Sequence, residues 1–187
     1  IGRNIAAHHA KGLAQRALDD VDAVRGGIAI GDAPAARAIH AHRVHLVSGG
    51  DAGAEVYGDE ELLVTALHNL VANAIQYSPD GSRVGVGVNQ SDGIVEIAVT
   101  DQGVGIEEDE QDRVFERFFR TDPARSRNTG GSGLGLSIVK HIIQAHGGRV
   151  EVASAAGQGS VFTIETEDSK TEDRRPKSDS LRQAGQD

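Results

Sequence analysis

Residues 59–105 read DEELLVTALHNLVANAIQYSPDGSRVGVGVNQSDGIVEIAVTDQGVG, and the architecture is best read outward from them. Asp59 sits where a helix N-cap belongs. Behind it Leu63, Leu67, Leu70, Val71, Ala74 and Ile75 recur at three- and four-residue spacing, which marks an amphipathic helix. SPDG at 78–81 is a turn that ends it. Val84, Val86 and Val88 then alternate with small or polar residues, a half-buried strand. SDG at 91–93 reverses the chain, and IVEIAVT returns antiparallel.

Upstream, HRVHLV alternates as a strand and GAEVYG adds a short one. Downstream, DQGVGI leads to a short helix expected around EQDRVFERFF at 110–119. RTDPARSRNTGGSG at 120–133 is polar, basic and glycine-rich, the composition of a loop. LGLSIVKHIIQAH is a second strong helix, closed by Gly147–Gly148 as a left-handed cap. RVEVAS and SVFTIET form a final hairpin around AAGQG. Helices alternating with hairpins predict an α+β fold, a two-layer α/β sandwich whose mixed, mostly antiparallel sheet is covered on one face by helices.

The flanks read differently. Residues 1–42 are expected to be a poorly defined N-terminal segment, a truncated neighbour, linker or non-native stretch, with a weak helix over His8–Val24 carried by Leu13, Ala17, Leu18 and Val21. Residues 43–166 form the organised domain. Residues 167–187 mix both charges with almost nothing to bury and are expected to be a disordered tail.

Composition narrows the function. The chain carries 28 Asp+Glu against 19 Lys+Arg, a formal charge of −9, which argues against binding nucleic acid through its phosphates. Cysteine is absent, excluding disulfides, thiolate metal sites and a cysteine nucleophile. There is no apolar run long enough to span a bilayer and no signal-peptide pattern, so this fragment is expected to be cytoplasmic without membrane contact. Aromatic residues make up 3%, so the core must be aliphatic.

Four short segments carry chemistry. Asn69, Asn73 and Tyr77 are spaced four apart along one helical stripe. Asparagine inside a helix costs up to roughly 0.7 kcal/mol against alanine. Two on one stripe are either buried amides bonded to a neighbouring loop or oxygen ligands for Mg²⁺. Asp101-Gln102-Gly103-Val104-Gly105 follows a strand directly. There an aspartate can accept from an exocyclic amine such as adenine's while glycines admit a flat ring, although an ordinary β-turn has the same pattern. Phe115, Phe118 and Phe119, three of the four phenylalanines, are expected to anchor the loop that carries Arg120, Arg125 and Arg127. Gly130-Gly131-Ser132-Gly133-Leu134-Gly135-Leu136 opens the second strong helix, where backbone amides suit an anion; a glycine hinge is the alternative. The pattern is neither a P-loop nor a dinucleotide fingerprint.

These segments lie in this order within about 70 residues, and together they resemble the ATP-binding catalytic domain of sensor histidine kinases. That family is grouped with gyrase, Hsp90 and MutL. YGDEELLVTAL, VFERFFR and ARSRNTGGSGLGLSIVKH look most like actinobacterial, phosphate-responsive membrane kinases. The resemblance implies Mg²⁺ on Asn73, with Asn69 one turn earlier near the phosphates. It implies Tyr77 against the adenine, Asp101 on its amino group, and Gly103 and Gly105 shaping the base pocket. Arg120 would reach toward the phosphates as the catalytic cation. Gly131, Ser132, Gly133, Leu134, Gly135 and Leu136 would contact phosphate in the distal half of a mobile ATP lid, whose moving part runs over 118–131. Many members carry a basic residue just before the tyrosine, where this chain has Gln76. The resemblance implies a weakened phosphate contact there, taken over by Arg127.

Hydrolases of the superfamily place a glutamate four residues before the metal-binding asparagine; here that residue is Asn69, which accepts no proton at neutral pH. The resemblance therefore implies transfer of the γ-phosphoryl group to a histidine on a separate dimerisation domain, in cis or in trans, with a response regulator downstream. No phosphoacceptor box of the family's kind occurs in this chain. It reads as the catalytic half of a split kinase, monomeric and unable to autophosphorylate alone, whose parent protein is anchored in the cell membrane. Two alternatives stand beside it, an anti-sigma-factor serine kinase of the same fold and a catalytically silent ATP-binding regulatory module. His40, His42 and His45 form an H-x-H-x-x-H string without an accompanying carboxylate and read as surface residues. His141 and His146 lie on or near the last turn of their helix, where imidazole suits the carbonyls.

Overall fold

A computed structural model describes residues 5–25, 45–121 and 132–168. The chain runs β1 (Ile5–His9), α1 (Ala10–Arg25), β2 (His45–Gly50), β3 (Glu55–Asp59), α2 (Glu60–Tyr77), β4 (Arg83–Ser91), β5 (Ile94–Thr100), α3 (Gly135–Ala145), β6 (Arg149–Ala155) and β7 (Gly159–Glu167). Five strands make one sheet in the order β2-β4-β5-β7-β6, parallel between β2 and β4 and antiparallel elsewhere. β1 and β3 form a separate antiparallel ribbon. The mixed, mostly antiparallel sheet with its layer of helices is the architecture the sequence predicts.

Alternation decides which face is covered. Val84, Val86 and Val88 of β4, Val95, Ile97 and Val99 of β5, and Phe162 and Ile164 of β7 are all buried. The register sets Val86 opposite Val99, and Val99 opposite Phe162. One apolar face results. Against it lies α2, which buries eight side chains from Leu63 to Ile75. The Asp59 carboxylate caps α2 by accepting from the Leu62 N–H at 3.2 Å. Ser78 ends it, returning its hydroxyl to the Ala74 carbonyl at 2.6 Å just before Pro79. The β4–β5 turn has Asp92 and Gly93 at φ 51° and 78°, the backbone of a tight hairpin. Phe162 is the only aromatic in the buried core of the described residues.

Three expectations change. The helix expected over His8–Val24 is present as α1, and its Leu13, Ala17, Leu18 and Val21, with Ala14, enter the same core as α2; residues 5–25 are thus a strand and a helix within the domain rather than a poorly defined stretch. The helix expected around 110–119 is instead two single 3₁₀ turns, Glu108–Glu110 and Arg113–Phe115, after which Glu116 is extended. Glu167 belongs to β7, and Asp168 is buried, bridging to Val56 and accepting from the Gln90 amide. The loop arginines Arg125 and Arg127, Gly131, His40, His42 and the tail beyond 168 lie outside the described residues.

Candidate functional site

The C-terminal half of α2, the chain after β5, the segment 114–121 and the starts of α3 and β7 enclose a cleft of about 590 Å³, its solvent-facing space included. Its walls are apolar, from Ile106, Val114, Phe119, Leu136 and Phe162. Its polar groups are few: Asn73, Tyr77, Asp101, Arg120, Thr121 and Ser160.

Asp101 is 6% exposed. Its backbone N–H donates to the Ser160 carbonyl at 2.9 Å, continuing the β5–β7 pairing past the end of β5. Its Oδ1 accepts from the Gly103 N–H at 2.7 Å. Burial pushes the carboxyl above the ordinary carboxylate value, and hydrogen bonds from Gly103 and from the backbone and hydroxyl of Ser160 pull it back. Tyr77 responds the same way: burial raises its phenol, and the Arg120 charge opposes the rise. Arg120 and Tyr77 both line the cleft.

The glycines after Asp101 were expected to admit a ligand ring. Gly105 lines the cleft, and both glycines also pack protein on protein. Gly105 has φ +70°, and a Cβ there would stand 2.0 Å from the carbonyl oxygen of Ala155, the last residue of β6. A Cβ on Gly103 would stand 2.7 Å from both the Asp101 carboxylate and the Tyr77 carbonyl oxygen. These close approaches hold the loop against α2 and the hairpin, so that Asp101 faces the cleft.

The stripe on α2 divides. Asn73 and Tyr77 line the cleft. Asn69 does not; its Nδ2 donates to the Thr65 carbonyl at 2.9 Å, and its Oδ1 faces the start of α3, 3.1 Å from where a Cβ on Gly135 would stand. Gln76, in the same turn, has its Nε2 buried without a hydrogen-bond partner among the described residues. Phe115 and Phe119 pack against the core, Phe115 edge-on to Phe162 at 6.2 Å between ring centroids. Phe118 is 70% exposed and its φ is 65°, so its side chain is not packed in the core among the described residues; its backbone N–H donates to the Gly133 carbonyl at 2.8 Å.

Gly133, at φ +70°, lies so close to Phe118 and Phe119 that a Cβ would meet their backbone at 2.9–3.0 Å. Leu134 then starts α3 with no side-chain cap, its carbonyl accepting from Ser137 and Ile138. The first N–H groups of α3, beginning at Gly135, thus lack intrahelical acceptors beside the cleft, and Ser132 is exposed ahead of them. Among the described residues no three His, Cys, Asp or Glu side chains group as a metal cage. A cation held here would depend on the Asn73 amide oxygen, ligand oxygens and water, a donor set that suits Mg²⁺.

Ser160 was missed from the sequence. It reads there as one residue of a strand, and only the β5–β7 pairing brings it to Asp101. Ile106, Val114 and Thr121 were missed for the same reason; their places are set by a loop without periodicity.

A family model described as histidine kinase-, DNA gyrase B-, and HSP90-like ATPase matches residues 58–170. The sensor-like histidine kinase SenX3 of Mycolicibacterium smegmatis is 48% identical over 149 residues, which is 79% of this chain and 39% of that protein. SenX3 of Mycobacterium tuberculosis is 60% identical over 109 residues, 58% of this chain and 27% of that protein. The chain thus spans well under half the length of these curated relatives. A solved structure of the mycobacterial sensor histidine kinase MprB superposes with a TM-score of 0.69 at 32% identity, covering 88% of this chain and 97% of that one. Full-length ShkA, solved in complex with AMPPNP, superposes with a TM-score of 0.70 at 26% identity, over 90% of this chain and 32% of that one. By sequence and by fold, the chain belongs to the histidine kinase-, DNA gyrase B- and HSP90-like ATPase family.

Proposed function

We propose that the cleft over Asp101 binds ATP with Mg²⁺ and that the bound nucleotide donates its γ-phosphoryl group to a histidine on a dimerisation domain, in cis or in trans. One observation carries this reading: a single buried carboxylate in the lining of a largely apolar cleft that also carries an amide and a guanidinium. The Asp101 carboxylate accepts from the adenine amino group, and apolar walls take the ring faces. Asn73 offers its amide oxygen to the metal, which when bound neutralises phosphate charge. Arg120, the described cation of the cleft, stabilises charge on the transferring group. The uncapped N–H groups at the start of α3, with Ser132 to Leu136, receive phosphate oxygens.

Asn69 separates transfer from hydrolysis. It stands four residues before Asn73, and a carboxamide takes no proton from water at neutral pH. The β–γ bond therefore waits for a nucleophile from elsewhere. The names printed for SenX3 and MprB, both sensor histidine kinases, support histidine over serine as that acceptor. The working unit on this reading extends upstream of 43, because α1 shares its core. Among the described residues no helix is long and apolar enough to cross a membrane. Anchoring in the cell membrane and delivery to a response regulator belong to the parent protein on this reading.

Calorimetric titration with a non-hydrolysable ATP analogue, with and without Mg²⁺ and against GTP, tests the site. Adenine-selective binding strengthened by Mg²⁺ is the expected result; a folded chain that binds neither nucleotide would remove the proposal.

A further inference from the structure

Away from the cleft, His146 joins two helices. It directly follows α3, and its Nδ1 lies 2.7 Å from the Ile142 carbonyl oxygen. That oxygen only accepts, so Nδ1 carries the proton. Nε2 accepts from the backbone N–H of Asp59 at 3.0 Å and is therefore bare. Asp59 is the N-cap of α2, so the ring ties the last residues of α3 to the first of α2. Gly58 makes the room: a Cβ there would stand 2.4 Å from His146 Cδ2.

The opposite end of α3 is the cleft. There Gly135 packs against Asn69, and Leu136 lines the wall. Between the two ends, α3 meets the core through Val139, Ile142 and Ile143, a contact that is apolar and non-directional. Such packing holds the helix down, and the His146–Asp59 bond adds a directional link from its C-terminal end to α2. A helix of 11 residues transmits a displacement at one end to the other over about 16 Å. We propose that His146 is a positioning residue for the nucleotide site: its bond to Asp59 sets the lengthwise register of α3 on α2, and with it the distance from the Gly133–Leu136 backbone to Asn73. This rests on the nucleotide reading of the cleft.

The ring is half-buried and borders a second cavity, between the β1–β3 ribbon and the end of α3, so trimming it leaves no sealed void. Two amide replacements split its two bonds. His146→Gln places an amide oxygen near the site of Nε2 and keeps the link to Asp59. His146→Asn keeps only the bond to Ile142, the ordinary capping role. The test is titration of the whole chain with the non-hydrolysable ATP analogue and Mg²⁺, below the melting temperature of every variant. His146→Asn and His146→Ala should bind about tenfold more weakly, with His146→Gln within about threefold of wild type. Gly58→Ala, which displaces the ring, should cost a similar factor, and nothing further when combined with His146→Ala. Wild-type affinity in His146→Asn, or a loss in His146→Gln equal to that in His146→Ala, would overturn the latch while leaving the nucleotide site standing. Absence of binding by the wild-type chain would instead remove the nucleotide reading and the latch's role in it together.

Discussion

Burying a carboxylate is costly, and Asp101 keeps its place against that cost with bonds from Gly103 and Ser160. Its carboxyl is still raised, so the folded chain holds this proton more tightly than the unfolded one. The contribution to stability is therefore fullest at pH below the ordinary carboxyl value and is withdrawn as pH rises through the raised value. Asp101→Asn should lack that downward step and unfold in urea at pH 7 no earlier than wild type. The same variant should lose adenine-nucleotide affinity by tenfold or more, because a donor on the base would meet a poorer acceptor. A variant that binds as wild type would displace the base pocket from Asp101. Asn73→Ala should abolish the Mg²⁺ enhancement of binding while leaving most of the metal-free affinity, read by titration with and without EDTA. An unchanged Mg²⁺ response would move the metal elsewhere.

At the scale of elements, the caps of α2 and its loop neighbours are separable. Asp59→Ala removes one capping bond and should lower stability by about 1 kcal/mol in urea denaturation. It keeps the backbone N–H that His146 uses, so nucleotide affinity should hold. Gly105→Ala should do the reverse. It sits at φ +70° against the Ala155 carbonyl, and forcing that loop outward should cost binding well beyond its cost in stability. The elements legible in the sequence were those whose signal is local. Asp59, the leucine spacing and Ser78-Pro79 bound α2; the Val84–Val88 alternation and the Asp92-Gly93 turn bound the first hairpin. The segment 110–119 misled because Val114, Phe115 and Phe119 have helix-like spacing but are spread over the core and the cleft wall. Phe118, in a left-handed conformation, breaks any helix there.

On the scale of the molecule, the N-terminal elements are structural partners of α2. Deleting residues 1–25 would strip Leu13, Ala14, Ala17, Leu18 and Val21 from the core. The shortened chain should lose its cooperative thermal transition and bind a hydrophobic dye; a sharp transition at the wild-type temperature would show α1 to be dispensable. Their incomplete reading from sequence has a plain cause: β1 is IAAHH, without a marked apolar alternation, and α1 has helical spacing but is polar on average, so nothing local says which core its apolar stripe joins. By itself the sequence determined what local spacing encodes, namely the caps and periodicities of α2 and α3, the hairpins, and the order of the four site segments. Tertiary structure decided what depends on strands distant in the chain coming together. The β5–β7 pairing brings Ser160 to Asp101, α1 joins the core, and α3 docks with Asn69 facing its start and His146 reaching Asp59. Those contacts are non-local, and a short window of sequence carries no trace of the partner that will meet it.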